Sequence, residues 1–127
     1  MATRTVTTNL KITNTRDNSL VADRVKVADS FWQRFRGMML APEPAEGEGL
    51  WLSPCNSIHM MFMLYPIDAV FLDASLKIKA LYEKLPPWIG LSRLHRDVSS
   101  VLELKSGTIN KTGVRIDDVL IMERTEC

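Results

Sequence analysis

Cys55 and His59 stand four residues apart, and Asp68 follows nine residues later. In an extended chain alternate side chains share a face, so Cys55, Ser57 and His59 can line one surface. A thiolate–imidazole pair with a carboxylate behind the ring is the arrangement of thiol catalysis. That makes Cys55, His59 and Asp68 the candidate catalytic residues of a small hydrolase or thiol enzyme. The same three side chains could instead be the ligands of a metal-binding module. One cysteine and one histidine lack the paired spacing of a zinc motif. The plainer expectation, and the preferred one, is a buried thiol and a hydrogen-bonded histidine at a strand end, because buried polar groups are normally satisfied without being functional.

Two acids interrupt apolar stretches, Asp68 and Glu103. A buried carboxylate is costly unless it is bonded or paired. The two could act as an acid/base pair. The structural alternative is preferred: each accepts backbone N–H groups or pairs with Arg34 or Arg36, Asp68 where Pro66 breaks the chain, and Glu103 pointing outward between Leu102 and Leu104. A second candidate group is Trp88 with Arg93 and Arg96, an aromatic floor and two guanidiniums suited to an anion. With Arg36 these are the candidate ligand-binding residues. The same loop could equally pack over the mouth of a barrel. Met38, Met39, Met60, Met61 and Met63 read as flexible core filler rather than soft-metal ligands.

These residues must be positioned by short elements. Leu10 to Thr15 and Ser19 to Val27 read as strands joined by the turn residues Arg16-Asp17-Asn18-Ser19. Asp29 or Ser30 caps a helix starting at Phe31 and ending at Gly37, the latter in the left-handed conformation, with Phe31 and Phe35 facing the core. Ala41 to Gly49 is a loop. Leu50 to Leu52 is a brief strand, and Ile58 to Leu64 a strand covered on both faces. Ile67 to Leu72, Leu76 to Leu85, Val98 to Lys105 and Asp118 to Glu123 are further strands. Thr108 to Gly113 makes a single helical turn. Seven to nine strands on short turns predict a mainly β fold, bordering on α+β: an antiparallel β-sandwich or partly closed barrel with one short helix near 30–36.

A chain of 127 residues with a net charge of +1 fits one domain and carries no bulk field to gather nucleic acid or an anionic membrane. The apolar run from Ile58 to Leu72 is too short for a spanning helix and is broken by Pro66 and Asp68. The polar, threonine-rich stretch from Met1 to Arg24 has no apolar segment of a secretory signal. Two cysteines, Cys55 and Cys127, form no disulfide framework. Free thiols and a cytoplasmic location are therefore expected.

The stretch Arg34-Phe35-Arg36-Gly37-Met38-Met39 resembles the Arg-x-x-Gly-Leu-Met signature of the bacterial and archaeal family called domain of unknown function 192. Gly49-Leu50-Trp51-Leu52, Pro54-Cys55-x-Ser57-Ile58-His59 and Pro66-Ile67-Asp68-x-x-Phe71-Leu72-Asp73 are similar to the core pattern of that family. Val101 to Thr108, then Thr112-Gly113 and Asp118-Val119-Leu120, extend the likeness from about residue 10 to 123. Met60 and Asp117 depart from the pattern, which often has threonine at the first position and glycine at the second. The resemblance implies a compact, mainly β domain and carries no activity. The expectation is a small non-enzymatic binding or accessory domain, a monomer or weak oligomer, taking a small ligand or a protein and requiring no cofactor or metal.

Overall fold

The computed structural model describes residues 8–39, 41–60 and 62–126. Expectations about Met61 and Cys127, and about the side chains of Phe31 and Trp32, lie outside the described residues. Seven strands form one mixed sheet. β1 (Thr8–Asn14) and β2 (Ser19–Ala28) make an antiparallel hairpin. Asp17 closes its turn by accepting from the Ser19 backbone and hydroxyl, and Asn18 takes a positive φ of 59°. The short helix α1 (Phe31–Arg36) starts at Ser30, whose side chain accepts from Gln33 N at 3.1 Å. The Gln33 side chain returns the bond to the Ser30 backbone, completing a capping box.

β3 (Glu48–Leu52) runs parallel to β2, so the sheet is not wholly antiparallel. β4 (Ile67–Leu72), β5 (Ile78–Leu85) and β6 (Ser100–Lys105) follow. The turn α2 (Thr108–Thr112) closes on Gly113 in the left-handed conformation, and β7 (Leu120–Glu126) pairs back with β1. The strand order is β5-β4-β6-β3-β2-β1-β7. The sheet is open, yet its edges meet at one end: Lys77 bridges Val119, and Leu120 N donates to Leu76 O. The mainly β expectation holds; the sheet is not closed, and among the described residues no second sheet packs on it.

The sheet has two apolar faces. The inner face gathers Ile12, Val25, Val70, Leu72, Leu102, Leu104 and Leu120, with Ile109 of α2 plugging it. The outer face of β4 and β6 carries Ile67, Ala69, Phe71 and Val101, and is covered by Met38, Ile58, Met60, Met63, Tyr65 and Val98. Every residue of β4 is therefore buried.

That cover corrects one expectation. The described residues between 58 and 64 do not form a strand. They pair irregularly with residues 86–92, through Met60 N to Gly90 O, Trp88 N to Met60 O and Ser92 N to Ile58 O. Phe62 and Trp88 both take positive φ, which ruins the alternation of a strand. Ile58, Met60 and Met63 turn inward, while Phe62 and Leu64 are exposed. Phe35 is also out of the core at 51% exposure; its ring leans on His59 instead.

Candidate functional site

A cleft of about 390 Å3 opens where the end of α1 meets the cover. Arg34, Phe35, Arg36, Gly37 and Met38 form one wall, and residues 54–59 with Met63 form the other. Glu103 of β6 also lines it. The local sequence explains the shape. After α1 the chain reverses through Gly37, at φ 49° and ψ −125°, with Met39 N donating to Arg36 O at 2.8 Å. This is a type II′ turn, whose first central position favours glycine. The expected left-handed helix end is therefore a different positive-φ conformation. The turn brings the Gly37 backbone against Glu103: a Cβ added at Gly37 would lie 3.2 Å from Glu103 Oε1.

Glu103 overturns the expectation that it points outward. Only 4% of it is exposed, and Oε1 has no hydrogen-bond partner. Burial without a compensating charge pushes its pKa up to about 8. Near pH 7 the group is a neutral carboxyl, able to donate as well as accept. His59 Nδ1 is likewise buried without a partner. Arg34 is half-buried and Arg36 exposed, and among the described residues neither forms a salt bridge. Arg34 does donate to the Asp29 carbonyl at 3.0 Å.

Cys55 and His59 both line this cleft, but Asp68 does not. In the β4–β6 register Asp68 stands opposite Leu104, and Ala69 opposite Glu103. Side chains of paired positions share a face, so Asp68 and Glu103 point to opposite faces of the sheet and make no acid/base pair. Asp68 instead accepts from Lys84 N at 2.9 Å, Gly107 N at 3.1 Å and Ile109 N at 2.8 Å. It ties β4 to β5 and holds the start of α2. The Cys55 thiol donates to Ser57 O at 3.1 Å, and burial pushes its pKa up. Its other influences are smaller: backbone hydrogen bonding at Ser57 and the Arg34 charge lower it, while Glu103 raises it further. Among the described residues no three His, Cys, Asp or Glu side chains gather as for a metal ion.

Of the expected ligand-binding residues, Arg36 lines the cleft, and Trp88, Arg93 and Arg96 do not. Trp88 is half exposed with its ring set edgewise to Phe62 at 5.2 Å, and both arginines are exposed. Their loop covers the outer face of the sheet and not a barrel mouth. Glu103, expected in function only as an acid/base partner of Asp68, and Arg34, expected only as an ion-pair partner, both line the cleft. The signal for Glu103 was available in Val101-Leu102-Glu103-Leu104: a strand apolar on both sides leaves its one acid no outward face.

Residues 12–122 match the family described as DUF192, Uncharacterized ACR. The chain belongs to the DUF192 family. Two curated relatives are UPF0127 proteins. That of Thermococcus sibiricus is 43% identical over 70 residues, 51% of this chain and 44% of the relative. That of Thermococcus kodakarensis is 40% identical over 60 residues, 43% of this chain and 38% of the relative. The matched stretch thus spans less than half the length of either. Two solved structures share the fold. A Sinorhizobium meliloti protein named as a candidate transcription regulator superposes with a TM-score of 0.76 at 23% identity, covering 96% of this chain and 97% of its own. A Novosphingobium aromaticivorans protein of unknown function gives 0.74 at 18% identity, covering 88% and 82%. Asp117, before β7, holds a positive φ of 76°. No helix among the described residues is long and apolar enough to cross a membrane.

Proposed function

We propose that this DUF192 chain is a non-enzymatic binding module, and that the cleft between α1 and the cover is its ligand site. One observation carries the reading. Two buried polar atoms, Glu103 Oε1 and His59 Nδ1, lack partners and belong to side chains that line one cleft. Buried groups are normally bonded, and a small ligand would supply the missing partners. The module works as a single cytoplasmic domain, without nucleic acid. The thiol-enzyme reading is less well supported: Cys55 is held protonated and Asp68 is spent on backbone bonds across the sheet.

The test is native mass spectrometry of untagged protein against a soluble cell extract, beside a Ser57→Trp variant. Ser57 is exposed on the cleft wall, so tryptophan there fills the site without disturbing the core. A small molecule held by the wild type and lost from the variant is the expected result. Equal retention by both proteins, or none by either, overturns the assignment.

A further inference from the structure

We infer that the cleft takes a small organic acid, its carboxylate set between the guanidiniums of Arg34 and Arg36 and the buried carboxyl of Glu103, its apolar body against Met38, Ile58 and Met63. The inference rests on the cleft being a ligand site and adds the class of ligand.

The charges that face Glu103 decide the sign. Arg34 and Arg36 reach the cleft from α1, while Cys55 and His59 reach it from the cover. Tyr65 senses Glu103 from the cover, and its own hydroxyl donates to Pro42 O at 3.0 Å. Lys105, further along β6, is taken up by Glu43 at 3.7 Å. Asp68 points to the other face of the sheet. Among the described residues the charges lining the cleft are thus two guanidiniums without a carboxylate partner, and its buried acid is neutral. An amine would meet two guanidiniums and an acid that must first lose its proton. A carboxylate meets guanidinium geometry suited to it and a carboxyl that can donate to its second oxygen. The remaining walls are apolar, which suits a ligand with one anionic group and a hydrocarbon body better than a polyanion.

Uptake is then linked to protonation. Glu103 keeps its proton up to about pH 8. Above that, the donor is lost and a negative charge replaces it, so affinity for an acid should fall roughly tenfold per pH unit.

The experiment titrates the full chain with benzoate and hexanoate, and with benzylamine and hexylamine as controls. Calorimetry and amide NMR are read at about pH 6.5 and about pH 9.5, either side of the Glu103 transition. The expected result is carboxylate binding at the lower pH, with shifts at residues 54–59 and Gly37, lost at the higher. Arg34→Met should weaken it at least tenfold. Glu103→Gln keeps a donor, removes the buried acid and should bind with no pH dependence. Amines binding at the same residues, more tightly at high pH, would overturn the ligand class and leave the cleft as the site. Carboxylates bound with unchanged affinity in Arg34→Met would also overturn it. Shifts confined to other surfaces, or none with any probe, would overturn both readings.

Discussion

Glu103 costs the fold stability at the pH where most proteins are handled. Its pKa is raised from the ordinary 4.5 to about 8 by burial alone. Between those values the unfolded chain has released the proton and the folded chain still holds it. Stability must therefore fall by about 1.4 kcal/mol for each pH unit gained and level off above pH 8. Below pH 4.5 both states hold the proton and Glu103 adds no pH dependence. Glu103→Gln should remove this slope and raise stability by on the order of 3–5 kcal/mol near pH 8.5, less if the amide finds no partner. Urea unfolding across that range reads it; parallel wild-type and mutant curves would refute it. Cys55 makes the second prediction at this scale. A thiol held protonated by burial should alkylate slowly with iodoacetamide near pH 7, and His59→Ala should not change the rate. A fast, His59-dependent rate would restore the thiol enzyme. That Asp68 accepts backbone N–H bonds was legible from an acid set in an apolar run, but its expected place at the Pro66 break was wrong. The three actual donors were not legible, since they come from Lys84, Gly107 and Ile109, far along the chain.

At the scale of elements, the strands were legible because each is a short β-rich run between turn residues. Ile67–Leu72 was found to the residue. The segment 58–64 was misread for a physical reason: a continuous apolar run shows where a chain is buried, not whether its backbone is extended. The turn after α1 shows how an element end shapes the site. Gly37→Ala places a Cβ in a conformation L residues rarely adopt, and within 3.2 Å of Glu103 Oε1. It should destabilise by about 1 kcal/mol or more. Unfolding midpoints that coincide with wild type would contradict it. On the opposite face, Asp68→Asn exchanges an oxygen that accepts N–H bonds for an amide that donates. The loss should be roughly 1–3 kcal/mol. Exchange should also quicken at the amides of α2 and at Lys84, while β1 and β2 keep their protection.

The whole molecule is a sheet with two covers of unequal strength. The inner face holds an apolar cluster that includes Ile109 of α2, on strands tied by hydrogen-bonded ladders. The outer face of β4 and β6 is covered by two irregular segments, the described residues of 53–65 and residues 86–98, held to each other by scattered backbone bonds. The ribbon they form is apolar on its outside as well, with Ile89 82% exposed and Leu91 and Leu94 beside it. Regions with few ladder bonds open below the global unfolding energy, so the cover should open while the sheet stays intact. Glu103 lies at the cleft floor, between the end of α1 and this cover. Once it ionises, the buried charge gains hydration whenever the cover lifts. Opening should then become easier as pH rises through about 8. Hydrogen exchange, corrected for the intrinsic pH effect, gives the test. Protection at Met60, Ser92 and His95, whose amides bond to Gly90, Ile58 and Asn56, should fall across that transition. Protection at Phe71 and Leu102, inside the ladder, should hold. Glu103→Gln should abolish the fall at the cover. A fall shared equally by cover and ladder would mean that the molecule opens only as a whole, and that Glu103 strains the fold rather than the lid over the cleft.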